Sequence, residues 1–258
     1  MKSIALELML AIGCTSILCA ADVQIPSLTS HETTEVQRRL EAFEHGKTTL
    51  ENITDNPEWT LQFIAYYSSR TNDVTTKMKL PISRSFAVWS KYPEAANLAQ
   101  DYINVYSNDW RGWRVLGGAK LVMGSYNEAI SALTNAARLG DEANYVGLGM
   151  AALAANRLDV LDSIVVPHLL ILKSDGARFS KKERLEMRGV LVAYALQANK
   201  EEIFIKAIED VDVNDIVSQE QLKAQVVRGC EQFKSKDLDK ICQQIKAASQ
   251  SESKTEKN

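Results

Sequence analysis

Proline and glycine are scarce in this chain, with five prolines and 12 glycines among 258 residues. So few turn-forming residues argue against a loop-rich β fold and favour helices. Hydrophobic residues make up 45% of the sequence, enough to bury a sizeable core. An excess of positive charge is also missing, because the net charge is −3. Domains that bind nucleic acid are usually strongly basic, so we expect no nucleic-acid partner.

Histidine, a common metal ligand and catalytic base, is also scarce. The only histidines are His31, His45 and His168, and no two of them have the spacing of a metal-binding pair. No Gly-x-Ser-x-Gly element occurs. The run from Gly147 to Ala152 matches a dinucleotide-binding Gly-x-Gly-x-x-Ala pattern, but no strand is predicted before it. The sequence therefore predicts a protein that is not an enzyme and that has no metal and no cofactor.

Residues 1–21 have the features of a cleaved secretory signal peptide. The apolar run from Leu8 to Leu18 is too short to span a bilayer and has the length of a signal core. Small residues precede position 22, so the mature chain is predicted to begin at Asp22 and to be periplasmic or secreted. One alternative is lipoprotein processing at Cys14, and another is an apolar first helix.

The rest of the chain divides by composition into three segments. Residues 22–33 are predicted to form a linker, residues 34–248 a helical domain and residues 249–258 a disordered polar tail. Within the helical domain, we expect one helix over Thr34–Ile53 and another over Pro57–Ser69, capped by the preceding asparagine. No later segment has the apolar length of a transmembrane helix.

One stretch carries a ladder of small and bulky residues with the spacing of two helices: Trp113, Leu116, Gly117, Gly124, Tyr126, Ala129, Leu133 and Ala136. The first three lie at i, i+3 and i+4, and the last four at i, i+3, i+7 and i+10, so each group forms one helix face. Gly124 is predicted to end the first helix in a left-handed conformation, and Ser125 to cap the second. Small residues let the two backbones approach while the large ones fill the remaining space, which indicates an antiparallel helix hairpin.

Parts of the ladder recur before and after this stretch. Ala95 precedes Ala129 by about the length of one hairpin with its connecting turn, and we call this spacing the repeat interval. Three residues later in the chain match Trp113, Leu116 and Gly117 at a spacing slightly shorter than the repeat interval: Tyr145, Leu148 and Gly149. The predicted hairpins span residues 79–107, 110–140 and 142–173. Recurrence is expected because a lone hairpin cannot bury its own apolar stripe. The alternative is a helical bundle without repeats.

These residues and their spacing resemble the tetratricopeptide-repeat family. The resemblance implies an all-α fold, a right-handed α-solenoid of stacked antiparallel hairpins whose faces bind other proteins. In that family the first helix of each hairpin lines the concave groove. Carried over to this chain, the family pattern places five basic side chains toward the groove: Lys77, Arg84, Arg111, Arg114 and Arg188. Such a groove favours an acidic peptide or a C-terminal carboxylate, whereas the alternative is ordinary solvated charge.

Two cysteines, Cys230 and Cys242, lie six residues on either side of Lys236, in a predicted turn. Positions equidistant from the turn of an antiparallel hairpin can face each other, so an exported chain is predicted to join them by a disulfide. Two separately buried thiols are the alternative. No histidine lies near them in sequence, so a zinc site is not predicted.

The leading functional hypothesis is a non-catalytic scaffold or assembly factor that binds a protein or peptide partner in the cell envelope. One alternative is a lipid-anchored component of a secretion or outer-membrane assembly machine, attached through Cys14. A less favoured alternative is a cell-wall enzyme built on a helical superhelix. That enzyme would need a catalytic carboxylate of raised pKa, for which the sequence offers no motif.

Overall fold

The computed structural model describes residues 25–234, 238–245 and 247. Every regular element in these residues is helical, as the sequence predicts. The described chain falls into two units, an N-terminal unit of residues 25–151 and a C-terminal unit of residues 152–247. The predicted signal peptide and polar tail lie outside the described residues.

The helices of the N-terminal unit are α1 (Ser30–Glu44), α2 (Leu50–Thr54), α3 (Pro57–Ser69), α4 (Lys79–Val88), α5 (Tyr92–Ile103), α6 (Trp110–Val122), α7 (Tyr126–Arg138) and α8 (Asn144–Ala154), which crosses the unit boundary. Each of α3 to α6 packs against the helix that follows it, and α4 also packs against α6. A 3₁₀ turn at Thr71–Asp73 separates α3 from α4.

The first helix begins and ends earlier than the sequence predicts. Thr29 and Glu32 form a reciprocal capping box, so residues 30–33 are helical and do not belong to the predicted linker. Gly46 then takes a left-handed conformation, with φ of 69°. This glycine interrupts the predicted Thr34–Ile53 helix, which is therefore wrong as a single element and is replaced by α1 and α2. Helix α3 has the predicted bounds and the predicted asparagine cap.

Small residues set the distance between paired helices in the N-terminal unit. A Cβ added to Gly117 in α6 would lie 2.5 Å from Cγ of Leu133 in α7, closer than side-chain atoms approach. Ser83 holds the equivalent place in α4, one repeat interval earlier, and its hydroxyl donates to the carbonyl oxygen of Ala95 at 2.8 Å. Ala95 and Ala129 are both fully buried. Two successive hairpins therefore use small residues at matching positions.

The turns within these two hairpins share one backbone conformation. Ser90, after α4, and Gly124, after α6, have φ values of 58° and 77°. In each turn the next backbone N–H donates to the carbonyl oxygen five residues earlier, at 2.8 Å and 2.9 Å, which closes the helix end. The left-handed turn at Gly124 is as predicted. The predicted side-chain cap at Ser125 is wrong, because its hydroxyl makes no capping bond and its backbone N–H closes α6 instead.

The C-terminal unit centres on one long helix. The elements are α9 (Leu158–Val160), a π-helical segment (Leu161–Val165), α10 (Val166–Leu172), α11 (Lys181–Ala198), α12 (Glu201–Ile208), α13 (Val213–Val217), α14 (Glu220–Phe233) and a last helical stretch at 238–245. The long helix α11 packs against α10, α12 and α14, and α13 packs against α14.

The helix after α8 departs from regular α geometry. When the hairpins are aligned, Leu161 occupies the place that Ala129 has in the ladder, and the π segment begins at this buried leucine. The carboxylate of Asp162, inside the π segment, accepts a hydrogen bond from the hydroxyl of Tyr194 in α11. Burial, together with that bond, raises the pKa of Tyr194. The pattern of the preceding hairpins is therefore not continued here.

A disulfide between Cys230 and Cys242 joins α14 to the last helical stretch, with the two Cα atoms 5.9 Å apart. This confirms the predicted pairing. Of the predicted turn over residues 234–237, residues 235–237 lie outside the described residues. Leu238 and Ile245, four residues before and three after Cys242, are also buried. The last helical stretch therefore turns one face inward, and the disulfide lies on that face.

Candidate functional site

Two of the predicted groove residues lie on or just before α4. The ammonium group of Lys77 donates to the carbonyl oxygen of Glu44. The guanidinium group of Arg84 lies 3.0 Å from Asp55 and 3.6 Å from Glu51, and both carboxylates are at least half exposed. Exposed ion pairs contribute only about 0–1 kcal/mol, so a ligand carboxylate can replace either partner of Arg84 at little cost.

Arg111 is held by the residue that caps α6. Asp109 accepts the backbone N–H of Arg111 at 3.0 Å and two guanidinium bonds at 2.6 Å and 2.9 Å. The hydroxyl of Tyr102 donates to the same carboxylate at 2.6 Å. Burial on its own would raise the pKa of Asp109, but the bonds from Arg111 and Tyr102 outweigh it and lower that pKa. The charge of Arg111 is therefore largely compensated within its own helix end.

Arg114, one turn further along α6, also has an internal partner. It pairs with Asp141, which is only 5% exposed and also accepts a hydrogen bond from the amide of Asn144 at the start of α8. The guanidinium carbon of Arg114 lies 4.6 Å from the ring centroid of Trp110. Burial raises the pKa of Asp141 despite the nearby guanidinium. Arg114 therefore links α6 to α8, while its planar face rests on an aromatic ring.

The fifth predicted groove residue, Arg188, lies in the C-terminal unit and is enclosed by its own chain. It is 6% exposed. Its guanidinium group donates to the carbonyl oxygens of Ala207 at 2.7 Å and Glu209 at 2.8 Å, at the end of α12. Burial lowers the pKa of Arg188. The prediction that Arg188 extends a row of exposed cations is therefore corrected: this side chain satisfies the open carbonyl groups of a helix end.

The ladder residues pack mainly inside the N-terminal unit and leave little of their surface exposed. Trp113 and Tyr126 are half-buried, and the indole N–H of Trp113 donates to the carbonyl oxygen of Ser107 at 2.7 Å. The turn residue Gly124 is exposed. The others are buried: Ala95, Leu116, Gly117, Ala129, Leu133, Ala136, Tyr145, Leu148 and Gly149.

Two clefts lie beside α6. The smaller, about 270 Å³, is bordered by α5, α6 and α7 and includes the ion pair between Lys120 and Glu128 at 2.6 Å. The larger, about 770 Å³, lies between the loop before α2 and the loop from α5 to α6. We call it the loop cleft, and its lining includes Thr48, Val105, Tyr106, Ser107, Asn108 and Trp110.

The sequence patterns did not identify Asp109, Tyr102 or the loop cleft as features of the site. Asp109 directly precedes α6, and an aspartate there is a strong N-cap signal that would have located the anchor of Arg111. Tyr102 and the cleft leave no such signal, because they depend on segments distant in sequence coming together in space. Of the five predicted groove cations, Arg188 is buried and Arg111 and Arg114 are paired with mostly buried carboxylates, so the groove charge is only partly available to a ligand.

No group of three or more histidine, cysteine, aspartate or glutamate residues is placed to hold a metal ion in the part of the chain that the structure describes. Among the same residues, no helix combines the length and apolar character needed to cross a bilayer. Comparisons with known proteins give no match, whether to a family model, to a curated protein or to a solved structure.

Proposed function

We propose that the chain is a non-catalytic scaffold or assembly factor of tetratricopeptide-repeat type, which binds a polypeptide partner in the cell envelope. The observation that carries the proposal is the recurrence of hairpin features in the N-terminal unit at the repeat interval: Ser83 and Gly117, Ser90 and Gly124, Ala95 and Ala129. Stacked hairpins that repeat in this way form extended binding surfaces as a right-handed α-solenoid. The packing of α4 against α6 supports first helices that line one common face.

The partner is proposed to present an acidic segment to that face. Arg84 supports this assignment best, because its present partners are exposed carboxylates that a ligand can displace. Arg111 and Arg114 contribute less charge, since each already binds a carboxylate that is mostly buried. Lys77 remains a weaker candidate because its ammonium group is engaged by a backbone carbonyl.

Export across a membrane is part of the proposal. The disulfide between Cys230 and Cys242 supports it, because such bonds persist in oxidising compartments. The mass of the mature protein, purified from cells that produce it naturally, tests this point. A chain that begins at Asp22 is expected. A chain that retains residues 1–21, or that carries a lipid on Cys14, would contradict cleavage to a soluble exported form.

In-cell photo-crosslinking tests polypeptide binding. A photoreactive amino acid is placed at Val122, which is 44% exposed at the end of α6, or at the control position Ile171, which is 73% exposed in α10. We expect a discrete polypeptide adduct from position 122 and none from position 171. No adduct at either position, or the same adducts at both, would contradict a partner-binding face on α4 and α6.

A further inference from the structure

The loop cleft is built from segments of the N-terminal unit that are distant in sequence. Thr48 lies in the loop before α2, Val105 to Asn108 connect α5 to α6, and Trp110 is the first residue of α6. Its volume of about 770 Å³ is in the range of sites that hold a short peptide or another small ligand. Its lining also includes Glu51, a partner of Arg84, and the groove residue Arg111, whereas the ion pair of the smaller cleft lies outside it.

Several polar side chains of the loop cleft are not used by the fold. Among the described residues, no hydrogen-bond partner serves the hydroxyls of Thr48 and Ser107, the amide of Asn108 or the indole N–H of Trp110. Hydroxyl and amide groups both donate and accept, whereas the indole only donates. The cleft thus offers donors and acceptors together, which is what a ligand with both kinds of group requires.

The apolar part of the loop cleft is exposed yet held in place. Val105 is 62% exposed and Tyr106 is 37% exposed. The ring of Tyr106 lies 4.9 Å from that of Tyr102, and the ring of Trp110 is covered by the guanidinium group of Arg114. Aromatic side chains that are fixed before binding lose little conformational entropy on binding. Tyrosine, tryptophan, serine and asparagine together are also the side chains that favour adaptable protein recognition.

The charged groups around the loop cleft are already paired with each other. Asp109 binds Arg111 at 2.6 Å, and Glu51 lies 3.6 Å from Arg84. A charged ligand would therefore have to displace one of these partners and lose its own hydration as well. The chemistry of the cleft favours an uncharged ligand.

From these observations we infer that the loop cleft binds an extended, uncharged stretch of polypeptide, anchored by one apolar side chain against Val105 and Tyr106. This inference rests on the proposed polypeptide-binding function and adds a second contact region to it. The main chain of an extended peptide supplies N–H donors and carbonyl acceptors for the free polar groups. A neutral sugar fits less well, because it brings no apolar side chain to pack against Val105.

A peptide-display selection tests the inference. The full chain is immobilised and used to select from a library of short random peptides, and the enriched sequences are synthesised and titrated. We expect them to share an apolar residue within an uncharged stretch. Val105→Asp should weaken their binding at least about tenfold, whereas Val122→Asp, the matched change at another exposed valine of the same unit, should change it less than about twofold.

Other results would overturn the inference in distinguishable ways. Acidic peptides whose binding is weakened by Arg84→Glu or Val122→Asp, but not by Val105→Asp, would refute peptide binding at the loop cleft. They would leave the proposed function standing. A neutral oligosaccharide that binds in place of peptides, and is lost with Val105→Asp, would refute the ligand class. Enrichment of no peptide would also refute it, with photo-crosslinking left to decide the proposed function.

A second variant separates binding from folding. Asn108→Asp alters an exposed loop residue and adds an unpaired charge to the cleft. It should weaken the binding of the selected peptides, as Val105→Asp does, and leave the thermal unfolding midpoint of the protein unchanged. Full binding by a folded Asn108→Asp protein and a folded Val105→Asp protein would contradict the inference.

Discussion

The two units of the described chain bring their helices together by different means. The N-terminal unit repeats the same small residues and left-handed turns at the repeat interval, as at Gly117 and Gly124. The C-terminal unit relies on features that occur once: a π segment beginning at Leu161, an enclosed arginine and a disulfide. Repetition produces a surface that recurs from hairpin to hairpin and suits a long ligand. Features that occur once each hold only one helix end or one pair of helices in place.

The enclosed arginine should give the largest effect in the C-terminal unit. Replacing Arg188 with methionine keeps much of the side chain's length but leaves the carbonyl groups of Ala207 and Glu209 without their donor. We expect the free energy of unfolding to fall by about 2–4 kcal/mol, measured by urea denaturation.

The matched control for that change is Arg38→Met in α1. Arg38 pairs with Glu35, but its side chain is 68% exposed. This variant should unfold at the urea concentration of the wild-type protein, because exposed ion pairs contribute little. If both arginine variants unfold alike, the helix-closing role assigned to Arg188 is incorrect.

The disulfide should have the next largest effect. Changing both Cys230 and Cys242 to serine is expected to lower the free energy of unfolding by about 2–3 kcal/mol, because the bond closes a short loop in the unfolded chain. Thiol titration of the denatured, unreduced mature protein provides the direct check. We expect no reactive thiol, and two per chain would contradict the bond.

Adjacent glycines in α6 test the close helix approach in the N-terminal unit. Gly117→Ala should lower the free energy of unfolding by about 1–3 kcal/mol, since the new Cβ would overlap Leu133. Gly118 has no atom within 4 Å of an added Cβ, so Gly118→Ala should raise stability by about 0.5–1 kcal/mol through helix propensity. Equal effects at the two positions would contradict the role of Gly117, and of Ser83 at the matching position, in close helix packing.

The smallest expected effect concerns pH and Asp109. Because folding lowers the pKa of Asp109, its bonds stabilise the protein above the ordinary aspartate pKa and are lost as pH falls through the lowered value. The stability difference between wild type and Asp109→Asn should therefore be full at pH 7 and shrink below about pH 4. Urea denaturation at both pH values measures it, and a constant difference would exclude ionisation of Asp109 as its source.

The sequence could predict those parts of the fold that local patterns determine. The ladder indicated the hairpin of α6 and α7, and Asn56 with Pro57 located the start of α3. Ser83 and Ser90 were missed because serine gives no strong signal for close packing or for a left-handed turn. Their roles appear only when they are aligned with the glycines one repeat interval later.

The candidate site was less predictable than the fold. Arg188 shows why, because its burial depends on the end of α12 reaching it across the C-terminal unit. The loop cleft likewise depends on Thr48 meeting the connection from α5 to α6, which lies much later in the chain. Spacing along the sequence finds helix faces, whereas contacts between distant segments require the structure.

Hydrogen exchange on the full chain, with and without the polypeptide identified by crosslinking, locates the binding surface. We expect slower exchange on binding in α4 to α7, residues 79–138, and little change in α11 to α14, residues 181–233. Protection confined to residues 181–233 would contradict the proposed function, because the repeated hairpins would then not be the binding surface.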